Sequence, residues 1–137
     1  MRKMALDIGT VRIGIATSDP MGIIASGYET FTRTKNFDND LTYISRLAEE
    51  KGCDTFVIGL PLNMDGTEGE KVAEIREFAA RLAEYTTLKI VFQDERLSTV
   101  SAEKALIEGG MRREKRKKVI DKVAATIILQ TYLDRIN

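Results

Sequence analysis

Acidic residues stand at three distant places in this sequence, each within or next to an apolar run. Asp7 interrupts the apolar residues 4–8, which then turn into a second apolar run. Asp94 and Glu95 follow a later run, and Asp121 lies early in the last one. A carboxylate on a buried strand is costly unless something pairs with it, and a divalent cation is the natural partner for several carboxylates. The pattern therefore predicts one metal site that collects acids from remote segments.

The lack of histidine limits the chemistry that such a site could perform. None of the 137 residues is His and only one is Cys, which excludes imidazole bases, Ser-His-Asp triads and His-ligated zinc. Oxygen ligands without His or Cys select hard cations such as Mg²⁺ or Mn²⁺. Two such ions about 4 Å apart can activate water and stabilise the leaving oxygen of a phosphodiester. We therefore expect metal-dependent hydrolysis of phosphodiester bonds, with Mg²⁺ or Mn²⁺ as cofactor.

Each acid also has a purely structural interpretation. Asp7 could cap the turn that follows it, and Glu95 could form an ion pair with Arg96. Because adjacent residues of a strand face opposite ways, only one of Asp94 and Glu95 should point into the site. Asp121 could be an ordinary acid near a helix start, where the positive end of the helix dipole favours it.

The charges of the chain balance overall but are unevenly distributed. Lys and Arg together number 21, as do Asp and Glu, yet residues 112–118 hold six basic residues and one acid. Such a patch attracts polyanions, and this one lies a few residues before Asp121. We expect Arg116, Lys117 and Lys118 to hold the phosphate backbone of a nucleic acid near the acids. A solvated charged face is the alternative.

Periodic apolar residues predict the elements that must position these groups. The predicted strands cover residues 3–8, 12–18, 23–31, 55–60 and 88–93, and the predicted helices begin near Asn36, Glu68, Ser98 and Val119. The first three strands should pair antiparallel, and the last two should run parallel through right-handed crossovers. The fold class is therefore α/β, with a mixed five-stranded sheet, a central first strand and helices on both faces. Functional residues of such sheets gather at the carboxyl ends of the parallel strands.

Glycine marks two of the connections between these elements. Gly9 and Gly14 are expected to bracket the tight turn of the first hairpin. Residues 59–66 resemble a phosphate-binding loop in composition only, because the spacing and the Lys of a Walker motif are lacking. A plain surface connection between strand and helix is the equal alternative for this segment.

Size and composition set the broad class of the protein. We expect one domain over residues 1–137, and an apolar fraction of 43% argues against disorder. No apolar stretch approaches the roughly 20 residues that span a bilayer. Arg2 and Lys3 are followed too soon by Asp7 for a secretion signal, and a single cysteine fits a reducing compartment. These features predict a cytoplasmic protein that does not enter a membrane.

Four segments resemble the YqgF/RuvX family, and the resemblance covers essentially the whole chain. They are residues 6–16, 57–66, 94–99 and 121–125. The first segment alone is weak evidence for the family, because sugar kinases and actin-like ATPases share its pattern around Asp7. The four together are specific for this family, which is described as Holliday-junction resolvases or pre-16S rRNA nucleases.

The resemblance implies an RNase H-like fold and a metal-dependent nuclease whose catalytic and metal-binding acids are Asp7, Glu95 and Asp121. In bacteria it also implies maturation of the 5′ end of 16S rRNA in the cytoplasm. Arg12 and Arg96 would then meet the scissile phosphate of pre-rRNA or of branched DNA. The sequence leaves open whether the protein is a monomer or a homodimer.

The chain departs from the family resemblance at one place. RNase H-like resolvases usually carry an acid at the end of the fourth strand, where this chain has Gly59-Leu60-Pro61. The second acid must then come from Asp94 or Glu95. This departure motivates another hypothesis, a nucleic-acid-binding module in rRNA processing with little catalysis of its own. A third hypothesis is that the protein is a small nucleotide-binding relative of the actin-like ATPases.

Overall fold

The computed structural model describes residues 1–95 and 113–137, with the backbone alone for residues 113–118. In chain order the elements are β1 (Arg2–Ile8), β2 (Arg12–Ser18), β3 (Ala25–Thr32), α1 (Phe37–Glu50), β4 (Cys53–Leu60), α2 (Glu70–Leu82), β5 (Lys89–Asp94) and α3 (Arg113–Ile136). The five predicted strands are all present, with ends shifted by one or two residues. The helix that the sequence predicts near Ser98 lies outside the described residues.

The strands form one sheet in the order β3-β2-β1-β4-β5. The first three pair antiparallel, whereas β4 runs parallel to both β1 and β5. The predicted mixed five-stranded sheet with a central first strand is therefore confirmed. Within the described ranges, no helix is both long and apolar enough to cross a membrane.

Helices cover both faces of the sheet, as predicted, and they do so at different distances. On one face the large side chains of α1 and α2 pack on β1, β2 and β4 to form the main core. On the other face α3 packs on the small residues Ala5, Ala16 and Val57, through Ala125 and Ile128. Small side chains let a helix approach a sheet closely. This close approach brings α3 near Asp7, the acidic residue of β1.

The limits of α1 follow from local chemistry that the sequence contains. The Asn36 side chain accepts a hydrogen bond of 3.0 Å from the backbone N–H of Asn39, as an N-cap residue does. At the other end Lys51 caps the helix, and Gly52 follows with a φ of 70°. A left-handed residue at that place ends a helix, and glycine adopts it without strain. The start predicted near Asn36 is confirmed.

The start predicted for the last helix was wrong. We predicted it near Val119 because the apolar pattern starts there, but α3 begins at Arg113. Lys and Arg are good helix formers, so the basic segment itself forms the first turns. Asp121 therefore lies more than two turns into α3, outside the first turn on which the dipole acts. A helix-start role for Asp121 is thereby excluded.

Candidate active site

One row of residues crosses all five strands on the face that α3 covers, at the carboxyl ends of β1, β4 and β5. Asp7 of β1 pairs with Gly14 of β2, which pairs with Thr30 of β3. On its other side β4 brings Gly59 alongside Asp7, and Gly59 pairs with Gln93 of β5. The central acid is thus flanked by two residues without side chains, which leaves space above the sheet on both sides of it.

The space above Gly59 holds the carboxyl group of Glu95. A Cβ atom built on Gly59 would lie 2.8 Å from the carboxyl carbon of Glu95 and 3.1 Å from its Oε1. The backbone N–H of Glu95 donates to the carbonyl of Leu60 at 3.0 Å, which extends the pairing of β4 with β5 by one residue. Glu95 therefore fills the place that an acidic side chain at the end of β4 would fill. The fourth-strand acid that the sequence lacks is replaced in space by an acid that follows β5.

The carboxyl groups of Asp7 and Glu95 form a pair in which each affects the pKa of the other. Glu95 is only 7% exposed. Burial, and then the negative charge of Asp7, raises the pKa of Glu95 to about 8. Burial, and then the negative charge of Asp121, raises the pKa of Asp7 to about 6. Two carboxyl groups this close resist double ionisation, so the raised pKa values favour a proton on the pair near neutral pH.

One oxygen of this pair, Oε2 of Glu95, is buried without a hydrogen-bond partner among the described residues, and so is Oε1 of Gln93 on the same strand face. A buried acceptor without a donor costs free energy. A bound cation would satisfy such an acceptor, and carboxylate and amide oxygens are the ligands that Mg²⁺ and Mn²⁺ prefer. The donor set therefore fits the predicted ions. Gln93 was not predicted as a site residue, although it lies two residues before Glu95 in the sequence and therefore on the same strand face.

Asp121 lies near the pair but is held by another residue. Arg12 donates from Nε to Oδ2 of Asp121 at 2.8 Å, and the two side chains are 39% and 20% exposed. The charge of Asp121 still contributes to the raised pKa of Asp7. Over residues 1–95 and 113–137, no three acidic, His or Cys side chains are close enough to share one ion. The structure thus joins Asp7 to Glu95 and places Asp121 alongside them, paired with Arg12.

The register of β5 decides between the two neighbouring acids. Asp94 is exposed whereas Glu95 is buried, so Glu95 faces the site. The turns of α3 that precede Asp121 contain the basic residues Arg116, Lys117 and Lys118. Their contacts stay a prediction, and Arg96 lies outside the described residues.

A cation that the sequence analysis missed, Lys71, also lies at this site. It is the second residue of α2, and its ammonium donates to the hydroxyl of Thr10 at 3.3 Å. Its positive charge partly offsets the raised pKa of both Asp7 and Glu95. No local pattern marks this lysine, because only the tertiary fold brings α2 to the turn after β1.

Gly14 positions the helix that carries Asp121. A Cβ atom on Gly14 would lie 1.9 Å from the backbone oxygen of Asp121 and 3.0 Å from its Cβ. We predicted that Gly14 serves the hairpin turn, but it lies inside β2, and the contact that requires a glycine there is with α3. Gly9 does serve the turn, since its N–H donates to the carbonyl of Arg12 at 2.8 Å.

The Gly14→Ala variant is therefore expected to lose about 3 kcal/mol of unfolding free energy, because the added methyl group overlaps a helix backbone that must move. Urea denaturation would measure this loss. Gly69→Ala is the matched control, since the nearest atom to its added Cβ is 3.6 Å away, and its cost should stay below about 1 kcal/mol. Equal losses for the two variants would contradict the packing of α3 on Gly14.

Comparison with known proteins identifies the family of the chain. A model of the RuvX family, described as Holliday junction resolvase, matches residues 1–135. This chain belongs to the RuvX family.

Curated relatives are similar to this chain over nearly its full length. A protein of Syntrophomonas wolfei is 50% identical over 134 residues, which cover 98% of this chain and 94% of that protein. A protein of Geobacillus kaustophilus is 47% identical over 135 residues, which cover 98% of each. Both carry the name "Putative pre-16S rRNA nuclease".

The fold of this RuvX-family chain is similar to that of RuvC. RuvC of T. thermophilus in complex with a Holliday junction substrate superposes with a TM-score of 0.60 at 10% identity, over 100% of this chain and 97% of that chain. A second structure of RuvC from Thermus thermophilus gives a TM-score of 0.54 at 11% identity, over 99% and 96% of the two chains. RuvC has an RNase H-like fold, so the predicted fold class is confirmed. At this level of identity the likeness concerns the fold alone.

Proposed function

We propose that this protein is a nuclease that hydrolyses phosphodiester bonds with Mg²⁺ or Mn²⁺ as cofactor, at a site formed by Asp7, Glu95 and Asp121. One observation carries the proposal. The carboxyl group of Asp7, at the end of the central strand, lies next to the buried carboxyl group of Glu95 from a remote segment, and Oε2 of Glu95 has no partner among the described residues. An isolated buried acidic pair is costly, and a bound cation offsets that cost.

The three acids would have different roles. Asp7 and Glu95 would lose their shared proton when an ion binds, and their oxygens, with the amide oxygen of Gln93, would hold it. A bound divalent ion supplies an activated water and neutralises the leaving oxygen of a phosphodiester. Arg12 orients the carboxylate of Asp121 and keeps it beside the pair until substrate and ions arrive. The exposed part of the Arg12 side chain can then face a phosphate.

Nucleic acid would reach the acids along α3. The structure extends this helix through the basic segment, so Lys117 lies about one turn before Asp121 on the same helix. Arg116 and Lys118 flank it, and we propose that the three contact the phosphate backbone. Arg96, directly after Glu95 in sequence, is proposed to contact the scissile phosphate. Contacts of this kind depend strongly on salt and give little sequence specificity.

For the substrate we propose structured RNA, with 5′-end maturation of pre-16S rRNA in the cytoplasm as the process. The names of the full-length relatives support this choice. Branched DNA is the second candidate, which the description of the family favours. The hypothesis of a binding module without catalysis was based on the absence of an acid at the end of β4. The carboxyl group of Glu95 lies above Gly59 at that place, which weakens the hypothesis.

The test is a cleavage assay that removes the metal. The protein would be incubated with a 5′ precursor fragment of 16S rRNA or with a four-way DNA junction, in Mg²⁺, Mn²⁺ or EDTA. We expect cleavage of the RNA with either ion and none with EDTA, and mapped product ends would show the bond. Faster cleavage of the junction would make branched DNA the substrate. Salt-sensitive binding of RNA and DNA without cleavage in any divalent ion would support the binding module instead.

A further inference from the structure

The acids alone do not explain why a lysine lies beside them. Lys71 is partly buried, and its ammonium donates to the Thr10 hydroxyl at 3.3 Å. Within the described part of the chain, no carboxylate lies within the 4.0 Å of an ion pair with it. The positive charge of Lys71 is therefore not neutralised by a neighbouring carboxylate, and its compact ammonium can pair with an anion from outside.

The position of this ammonium relative to the acidic pair is specific. It is beyond ion-pair distance of Asp7 and Glu95, yet its charge acts on both of them. The positive charge therefore stands next to the place where the acids would hold an ion, without closing it. An incoming phosphate would be repelled by the acidic pair and attracted by this lysine.

The surroundings of Lys71 leave it accessible and add positive potential. With Arg33 and Arg81, and with Glu74 and Glu77, it lines a cavity of about 300 Å³, so three basic residues face two acids there. No side chain caps α2 at Gly69, so the positive end of the helix dipole lies in the same region as the lysine. Lysine binds phosphate as a compact point charge, and a hydroxyl such as that of Thr10 adds a neutral donor.

We propose that Lys71, with the Thr10 hydroxyl, binds a phosphate of the nucleic-acid strand at the edge of the acidic pair and so holds the strand in the site. This inference rests on the proposed nuclease site. It adds a substrate-binding group from α2, on the opposite face of the sheet from the basic turns of α3. The nucleic-acid strand would then be held by Lys71 on one side of the carboxyl end of β1 and by the basic turns of α3 on the other.

The lysine should have opposite effects on the two ligands of the site. Its positive charge attracts phosphate but repels a divalent cation at the neighbouring carboxylates. Lys71→Met removes the charge and keeps an apolar stem. Affinity for a labelled RNA hairpin in EDTA should fall about tenfold at low salt, and the slope of log affinity against log salt should decrease by about 0.7–0.9. Mn²⁺ affinity, measured by calorimetry without RNA, should rise about two- to tenfold.

Two further variants separate this role from a structural one. Lys71→Arg keeps the charge and should restore both affinities towards the wild-type values. Lys89→Ala removes an exposed lysine at the opposite end of β5 and should change neither. Weaker binding of both RNA and Mn²⁺ by Lys71→Met, or an unchanged salt slope, would overturn the proposal. Both readouts are independent of cleavage, so opposite shifts in a protein that cuts nothing would support Lys71 and refute the nuclease, and cleavage without these shifts would do the reverse.

Discussion

Replacement of Asp7 by Asn is expected to reduce metal-dependent cleavage by about 10³-fold or more while the fold stays intact. The amide has the shape of the carboxyl group but carries no charge, so the ion loses its central ligand. A bound divalent ion contributes several kcal/mol of transition-state stabilisation, and about 4 kcal/mol corresponds to 10³-fold in rate. Cleavage rates at saturating Mn²⁺ and the far-UV circular dichroism of both proteins would be measured together.

We also expect Asp7→Asn to change the stability of the metal-free protein. The negative charge of Asp7 is one cause of the raised pKa of Glu95. Without it, Glu95 should ionise at lower pH, and the metal-free variant should be at least as stable as the wild type near neutral pH. Higher stability together with lost activity is typical of a functional site and is not expected of a structural acid.

Asp54→Asn provides the matched control for Asp7→Asn. Asp54 lies on the neighbouring strand β4 but at its amino end, where it pairs with Lys3 at 2.8 Å. This half-buried ion pair at the edge of the molecule should be worth about 1 kcal/mol, and cleavage should be unaffected. Cleavage by Asp7→Asn within tenfold of the wild-type rate would refute the proposed site.

The order of the elements could be predicted because it depends on local signals. The apolar periods of the five strands and the Asn36 cap are visible within a few residues of sequence, and the structure confirms them. The start of α3 could not be predicted from apolar period, because residues 113–118 are charged and are helical through their own propensity.

The acids of the site were identified by residue type, but their arrangement depends on contacts between remote segments. The contact of Gly14 with Asp121 joins positions 107 residues apart, and nothing near Gly14 indicates it. The place of Glu95 above Gly59 requires the parallel register of β4 and β5. Lys71 was missed for the same reason, since α2 meets the turn after β1 only in the folded chain.

This arrangement shows how a sheet can tolerate the loss of an acid from one strand. Glycine at position 59 gives up a side chain and thereby makes room for the carboxyl group of Glu95, which arrives from the end of the next strand. A carboxyl group is therefore present above the sheet at this place, although in the sequence it follows β5 and not β4. Which acids can share a site depends on where their oxygens lie in the fold, and sequence position alone is a poor guide to it.

Glu95→Gln is expected to change the pH dependence of stability. For Glu95 the pKa is about 8 in the folded protein, against the ordinary value of 4.5. The folded state then binds more protons than the unfolded state between these values, so the wild type loses stability as pH rises from about 4.5 to 8. Glutamine does not ionise. Between pH 5.5 and 8.5, the stability of Glu95→Gln relative to wild type should rise by on the order of 2 kcal/mol.

Divalent ions should reverse that difference. At pH 8.5 the ionised pair of the wild type can bind Mn²⁺, and an ion at a hundred times its dissociation constant adds about 2.7 kcal/mol to the free energy of unfolding. Glu95→Gln should gain little, because it has lost one ligand oxygen and one charge. Urea denaturation at pH 5.5, 7 and 8.5, in EDTA and in Mn²⁺, measures both effects.

Glu49→Gln controls for the loss of one exposed acid, since Glu49 lies on the surface of α1. It should follow the wild type in both the pH series and the Mn²⁺ series. If the stability of Glu95→Gln instead stayed parallel to that of the wild type from pH 5.5 to 8.5, Glu95 would not be part of a buried acidic pair. If Mn²⁺ stabilised both proteins equally, the ion would bind elsewhere, and the carboxyl group above Gly59 would have no part in holding it.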